Sequence, residues 1–223
     1  MKSPIIIVNF KTYEEGTGEN SVNIAKACRD VGEESGINIA VAPQTCDIYR
    51  ISSQIEDISI YSQHIDGVGP GSFTGHTFSS GIKSAGATGT LINHSEKRLK
   101  LADIESAVSV AKKSELTSVI CTNNVLTSAA AASFGPDYVA VEPPELIGSG
   151  IPVSEANPDI VRDTVTGVQN INSDVKVLCG AGISQGKDLK AALELGSHGV
   201  LLASGIVKSN EPKKALENLI SLI

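Results

Sequence analysis

Tryptophan is absent from the chain and aromatic residues make up only 4% of it, so any core has to be built from aliphatic side chains. Positive charge is also scarce. Eighteen Lys and Arg stand against 25 Asp and Glu, a formal net charge of −7. That balance argues against nucleic acid or an anionic membrane surface as partner, since both call for basic patches. An anionic small molecule would need local help from a lysine or from helix N-termini. No apolar run is long enough to span a bilayer, and Met1-Lys-Ser-Pro-Ile5 is too short a run for a signal peptide. The four cysteines, Cys28, Cys46, Cys121 and Cys179, show no metal-ligand spacing. They read as reduced thiols, which fits a cytoplasmic protein.

What the chain does have is alternation. Apolar, β-rich runs recur at residues 5–8, 38–42, 58–62, 88–92, 117–121, 138–141, 175–179 and 199–202. Most are continuous rather than alternating in polarity, as expected of parallel strands covered on both faces. Helical patterns lie between them. Ile24, Cys28 and Val31 share one face; so do Leu101, Ile104, Val108 and Ala111; so do Leu189, Ala192 and Leu193, ahead of Gly196 as a C-cap. Leu216, Leu219, Ile220 and Ile223 form a last amphipathic stretch, and Asn157-Pro158 reads as a helix start with proline in the first turn. The helices after the second, third and fifth runs should be short. Eight strand–helix alternations without a composition break predict an α/β fold, a single closed (β/α)8 barrel over 1–223. The alternative, an open doubly wound sheet, lacks a G-x-G-x-x-G after its first strand.

In a barrel every strand's C-terminal end opens on one mouth. The first run ends in Asn9-Phe-Lys11, and strand alternation would send Asn9 and Lys11 to the same side. The fourth ends in His94-Ser-Glu96-Lys-Arg98. With Ser95 or a neighbour as cap and Glu96 in the first helical turn, His94 would sit at a helix N-terminus, whose positive end disfavours a charged imidazole. The sixth run ends in Glu142. Pro143, Pro144 and Pro152 frame a Gly148-Ser-Gly150 tip, a stiff-hinged lid pattern. The last two runs end in Gly180-Ala-Gly182 and Ala203-Ser204-Gly205. Small residues after strands seven and eight let backbone N–H groups approach an anion, the usual barrel phosphate site. Singly, each feature has an ordinary explanation: an exposed lysine, a capping histidine, a glycine turn. Together they supply a base, a neutral electrophile, a cation, a lid and a phosphate cradle. That set suits proton abstraction beside a carbonyl on a small phosphorylated substrate.

From Asn9-Phe-Lys11 to Ser204-Gly205 the chain resembles the triosephosphate isomerases, in particular their short archaeal form. The resemblance implies Glu142 as the base, His94 as electrophile and proton shuttle, Lys11 and Asn9 as enediolate-stabilising groups, and Glu96 as a second acidic residue beside them. It implies phosphate binding by Ile147 and Gly148 of the lid, Gly182, Ala203 and Ser204. It implies no cofactor and no metal, a triose phosphate substrate, and a subunit loop, Gly71-Ser-Phe-Thr74-Gly75, joining a homotetramer or a dimer. Three loops depart from the common pattern, the lid among them, since Pro143 is followed by Pro144-Glu145-Leu146 without the usual aromatic. Gly180-Ala-Gly182 replaces Gly-Gly-Ser, so a backbone N–H must serve where a serine hydroxyl is missing, and Ala203-Ser204 replaces Gly-Gly. Competing readings are another sugar-phosphate isomerase barrel, which would lean on Asp or Cys at strand ends, and a non-catalytic phosphate-binding barrel.

Overall fold

The computed structural model describes residues 4–143 and 157–223. Eight parallel strands close a barrel in sequence order: β1 (Ile5–Asn9), β2 (Asn38–Ala42), β3 (Ser59–Ser62), β4 (Gly89–Ile92), β5 (Thr117–Thr122), β6 (Tyr138–Val141), β7 (Lys176–Cys179) and β8 (Gly199–Leu202). The outer ring holds α1 (Glu19–Ser35), α2 (Ile48–Ser52), α3 (Ser79–Ser84), α4 (Leu101–Lys113), α5 (Val125–Ala132), α6 (Pro158–Ile171), α7 (Gly186–Glu194), α8 (Ser204–Val207) and α9 (Pro212–Ile220). The barrel expectation therefore holds and the open sheet is excluded. As the sequence pattern suggested, α2, α3 and α5 are short, with 5, 6 and 8 residues.

Strand periodicity sorts the core into two layers. One set of side chains, including Ile5, Ile7, Ala42, Tyr61, Leu91, Val119, Ala140, Leu178 and Leu201, fills the barrel. Their neighbours, including Ile6, Val8, Val41, Ile60, Ile92, Ile120, Val139, Val177 and Val200, face the helices together with Ile24, Cys28, Val108 and Leu189. This inner layer is aliphatic apart from Tyr61, Tyr138 and Cys121, in keeping with the absence of tryptophan. Tyr61 fits because position 89 is glycine; a Cβ there would stand 2.6 Å from its ring.

The barrel closes between β8 and β1, where Ile5 pairs with Gly199 and Val8 with Leu202. Gly199 takes φ +152°, and a Cβ at that position would stand 1.9 Å from the Ile5 carbonyl oxygen. Only glycine permits this approach of backbone to backbone.

Two side chains depart from the helical patterns. Leu101, expected on the apolar face of α4, is 65% exposed; it is the first residue of the helix, and the buried face is Ile104, Ala107, Val108 and Ala111. Ile223 is also exposed, because α9 stops at Ile220 and the helical period ends with it. The cysteines are free thiols, three buried and Cys46 exposed. Among the described residues no helix is long and apolar enough to cross a membrane.

Candidate active site

At the C-terminal mouth of the barrel lies a cleft of about 370 Å³. Asn9, Lys11, His94, Glu96, Glu142, Gly182, Ala203 and Ser204 all line it. Eight candidates scattered over the sequence are thus one site. The remaining two, Ile147 and Gly148, with the lid pattern around them, lie outside the described residues.

Glu142 arrives by alternation. It follows Tyr138 and Ala140 on the inward side of β6, and its N–H donates to the Thr122 carbonyl at 2.8 Å, continuing the ladder one residue past the strand. The residue is 4% exposed. One carboxylate oxygen, Oε1, stands 3.4 Å from His94 Nε2. The other, Oε2, is buried and has no hydrogen-bond partner among the described residues.

Asn9 and Lys11 reach the mouth differently from the sequence expectation. Asn9 is the inward last residue of β1, but the strand stops there, and Lys11 adopts φ +49°. A left-handed turn, not extended alternation, brings the lysine round while Phe10 is fully buried. Asn9 Oδ1 accepts the Lys11 N–H at 2.9 Å, and Lys11 Nζ pairs with Glu96 Oε1 at 2.7 Å.

His94 also needs a backbone switch. Asn93 has φ +62°, and its side chain spans the loop, donating to the Cys121 carbonyl and accepting from the Leu99 N–H, both at 2.9 Å. The expected helix N-terminus is not there. The Lys97 N–H closes a tight turn on the His94 carbonyl, and α4 begins only at Leu101, with Lys100 as N-cap and no side-chain cap. Ser95 caps nothing; its buried hydroxyl has no partner among the described residues. The imidazole is instead set by the turn itself. The Glu96 N–H donates to Nδ1 at 3.3 Å, which makes Nδ1 the acceptor; in that tautomer the ring N–H is on Nε2, facing Glu142. Asn9 Nδ2 lies 3.4 Å from the same Nε2. Asn9 Oδ1 is already committed to Lys11, so its Nδ2 faces the ring nitrogen, and in the Nε2–H tautomer this is a contact between two donors. Both donors converge where an oxygen could accept from each.

The loops after β7 and β8 form the opposite wall. Gly182 has φ +73°. The buried Asp188 carboxylate accepts the N–H groups of Ser184 and Gln185 at 3.0 and 2.9 Å, which shapes the first loop. Three residues matter to this geometry in ways that were not read from sequence. Asp188 carried a signal, three residues after Gln185 in a capping box. Cys121 carried none, and Gly180 was read only as part of the anion-binding turn after β7, not as space beside the base. The Cys121 thiol is pushed well up in pKa, first by burial and then by the Glu142 carboxylate beside it, so it stays protonated. Gly180 makes room for the base: an alanine Cβ there would stand 2.5 Å from Glu142 Cγ and 3.1 Å from the Val141 carbonyl oxygen. Gly180→Ala is therefore expected to turn Glu142 away and lower kcat by about 10–100-fold, since a displacement of about 1 Å can cost about 10²-fold. A crystal structure of the variant with Glu142 unmoved and kcat unchanged would contradict this.

The family model described as triosephosphate isomerase matches residues 4–222. The chain belongs to the triosephosphate isomerase family. A triosephosphate isomerase of Methanosarcina mazei is 65% identical over 223 residues, all of both chains. That of Methanococcoides burtonii is 68% identical over 220 residues, 99% of both. Identity of this extent makes the chain an enzyme, an isomerase, and agrees with the archaeal form seen in its motifs. The crystal structure of triosephosphate isomerase from Bartonella henselae superposes with a TM-score of 0.72 over 98% of this chain and 97% of the other, at 20% identity. The fold of the triosephosphate isomerases thus extends well beyond the archaeal sequences.

Proposed function

We propose that this isomerase interconverts dihydroxyacetone phosphate and D-glyceraldehyde 3-phosphate through an enediolate, with Glu142 as general base and neutral His94 as electrophile. The observation that carries the reading is the facing pair Glu142 Oε1 and His94 Nε2, 3.4 Å apart across the cleft. This glutamate, histidine and lid enzyme is a standard worked case of pKa tuning, so the roles below rest on the family as well as on the distances. Glu142 removes a proton from the carbon beside the carbonyl, and the developing charge on oxygen meets the Nε2–H of His94 and the amide of Asn9. His94 passes a proton between the two oxygens, and Glu142 returns its proton to the neighbouring carbon. The Lys11 ammonium, aimed by Glu96, balances the negative charge of intermediate and phosphate. These donors supply the electrophilic stabilisation that a metal gives elsewhere, so the reaction needs no cofactor. Gly182, Ala203 and Ser204 bind the phosphate. Ile147 and Gly148 join them in this proposal through the sequence motif.

Purified protein given glyceraldehyde 3-phosphate, with a coupled reduction of dihydroxyacetone phosphate, tests the reading directly. No turnover would refute it and leave a phosphate-binding barrel or an isomerase of another sugar phosphate. The reaction belongs to glycolysis and gluconeogenesis, in the cytoplasm, with the whole chain as one catalytic domain. The proposal includes self-association as a homotetramer, or a dimer through the 71–77 loop. In its support, Phe73 of that loop is 45% exposed, and Leu101 and Leu126 are more exposed still. The Asp66 carboxylate accepts the Thr77 N–H at 2.6 Å, fixing the loop's root while its tip projects. Light scattering is expected to give a multiple of 23.1 kDa; a fully active monomer at micromolar concentration would contradict it.

A further inference from the structure

Lys11 combines an unusual backbone with a demanding position. A lysine at φ +49° persists only where its surroundings over-determine it. It is held at three points. Its N–H goes to Asn9 Oδ1, its ammonium to Glu96, and its carbonyl oxygen accepts from Gln63 Nε2 at 2.8 Å. Asn9 and Glu96 line the cleft; Gln63 does not. Gln63 follows β3 directly, and the second N–H of its amide goes to the Ala42 carbonyl at 3.0 Å. That carbonyl also accepts the Phe10 N–H. Since both partners of Gln63 are carbonyl oxygens, only the NH2 end of the amide can face them, and its orientation is unambiguous.

We infer that Gln63 is a positioning residue for the reaction. Its amide ties the Lys11 carbonyl to the end of β2, fixes the left-handed turn, and so aims the ammonium across the mouth. This deepens the proposed role of Lys11 and rests on it. Without the amide, the Lys11 carbonyl is released and the turn can relax. The side chain would still reach Glu96, but its stem would leave the backbone in another direction. The loss should therefore fall on catalysis, and it should fall through Lys11 alone.

The test is a double-mutant cycle on the coupled assay, because residues that act as one unit are non-additive. Gln63→Leu is expected to lower kcat/KM at least 10-fold when Lys11 is present. In a Lys11→Met background it is expected to change kcat/KM less than twofold. Equal losses in the two backgrounds would overturn the proposal, because a purely structural defect is additive. So would a loss below threefold when Lys11 is present. Gln63→Glu, of the same size, is the second variant should leucine prevent folding. Ionised, its carboxylate faces two carbonyl oxygens; protonated, it restores one donor. Its kcat/KM relative to wild type should therefore climb as pH is lowered, and a pH-independent ratio would count against the proposal. Lys11→Met alone separates the two levels of inference. If it retains wild-type activity, the reading of Lys11 fails and the proposal falls with it; if it is impaired while the cycle is additive, only the inference about Gln63 fails.

Discussion

Glu142→Gln is expected to lower kcat by about 10²–10⁴-fold, the usual contribution of a positioned acid–base group, or about 3–5 kcal/mol of barrier. The substitution keeps shape and volume, so the cleft and the loops after β7 and β8 stay as they are. An amide cannot take a proton from carbon, however, and it leaves His94 Nε2 facing a neutral oxygen or a competing N–H. The affinity of a phosphorylated inhibitor should change far less than kcat. Stability should move the other way or not at all. Glu142 is 4% exposed, and its Oε2 has no hydrogen-bond partner among the described residues; removing a buried charge relieves desolvation. Sites that hold strained or under-solvated groups often trade stability for activity in this manner. A variant with kcat within about threefold of wild type, less than about 0.7 kcal/mol of barrier, would remove Glu142 from its role.

Lys11→Met should have an effect of similar order through different physics. Methionine matches the lysine stem but carries no charge. The loss of one preorganised donor from a developing oxyanion costs about 10²–10³-fold in kcat. A second loss falls on binding and encounter. The chain carries a formal charge of −7, so a phosphorylated substrate approaches against a repulsive field, and a cation at the mouth provides local attraction. KM should rise, and the salt dependence of kcat/KM should flatten, because the screened attraction is gone. The partner left behind, Glu96, has a side chain 57% exposed, so water can solvate it and the fold should lose little. An unchanged salt slope would mean that the attraction arises elsewhere.

The barrel was legible from sequence because its strands are buried on both faces, and continuous aliphatic runs such as residues 38–42 and 199–202 follow directly from that burial. Glu142 was legible for a related reason: a carboxylate that ends an apolar run and precedes proline has to sit at a strand end. Lys11 and His94 were placed at the mouth correctly, but by the wrong route. Extended alternation and a helix N-terminus were expected; the structure uses left-handed turns at Lys11 and Asn93. Lysine has no preference for that region, so nothing in the sequence announces it, and asparagine announces it only weakly. Gln63 was not legible at all, and Gly180 was legible only as a small residue of the loop after β7, not as the space beside Glu142. Their importance lies in contacts 38 and 52 positions away along the chain, Gly180 against Glu142 and Gln63 against Lys11, and no local pattern reports such a meeting.

The seam between β1 and β8 has a consequence for how the molecule comes into being. Ile5 cannot find Gly199 until nearly the whole polypeptide has been made. During synthesis, seven strands can be present while β1 still offers a bare edge of N–H and C=O groups, flanked by isoleucine and valine. Such an edge invites pairing with other chains, and contacts so distant in sequence form slowly. The ring is thus protected only when complete. The last strand to emerge is the one that ends the exposure, and it does so through a glycine, the one residue type that lets the two backbones meet.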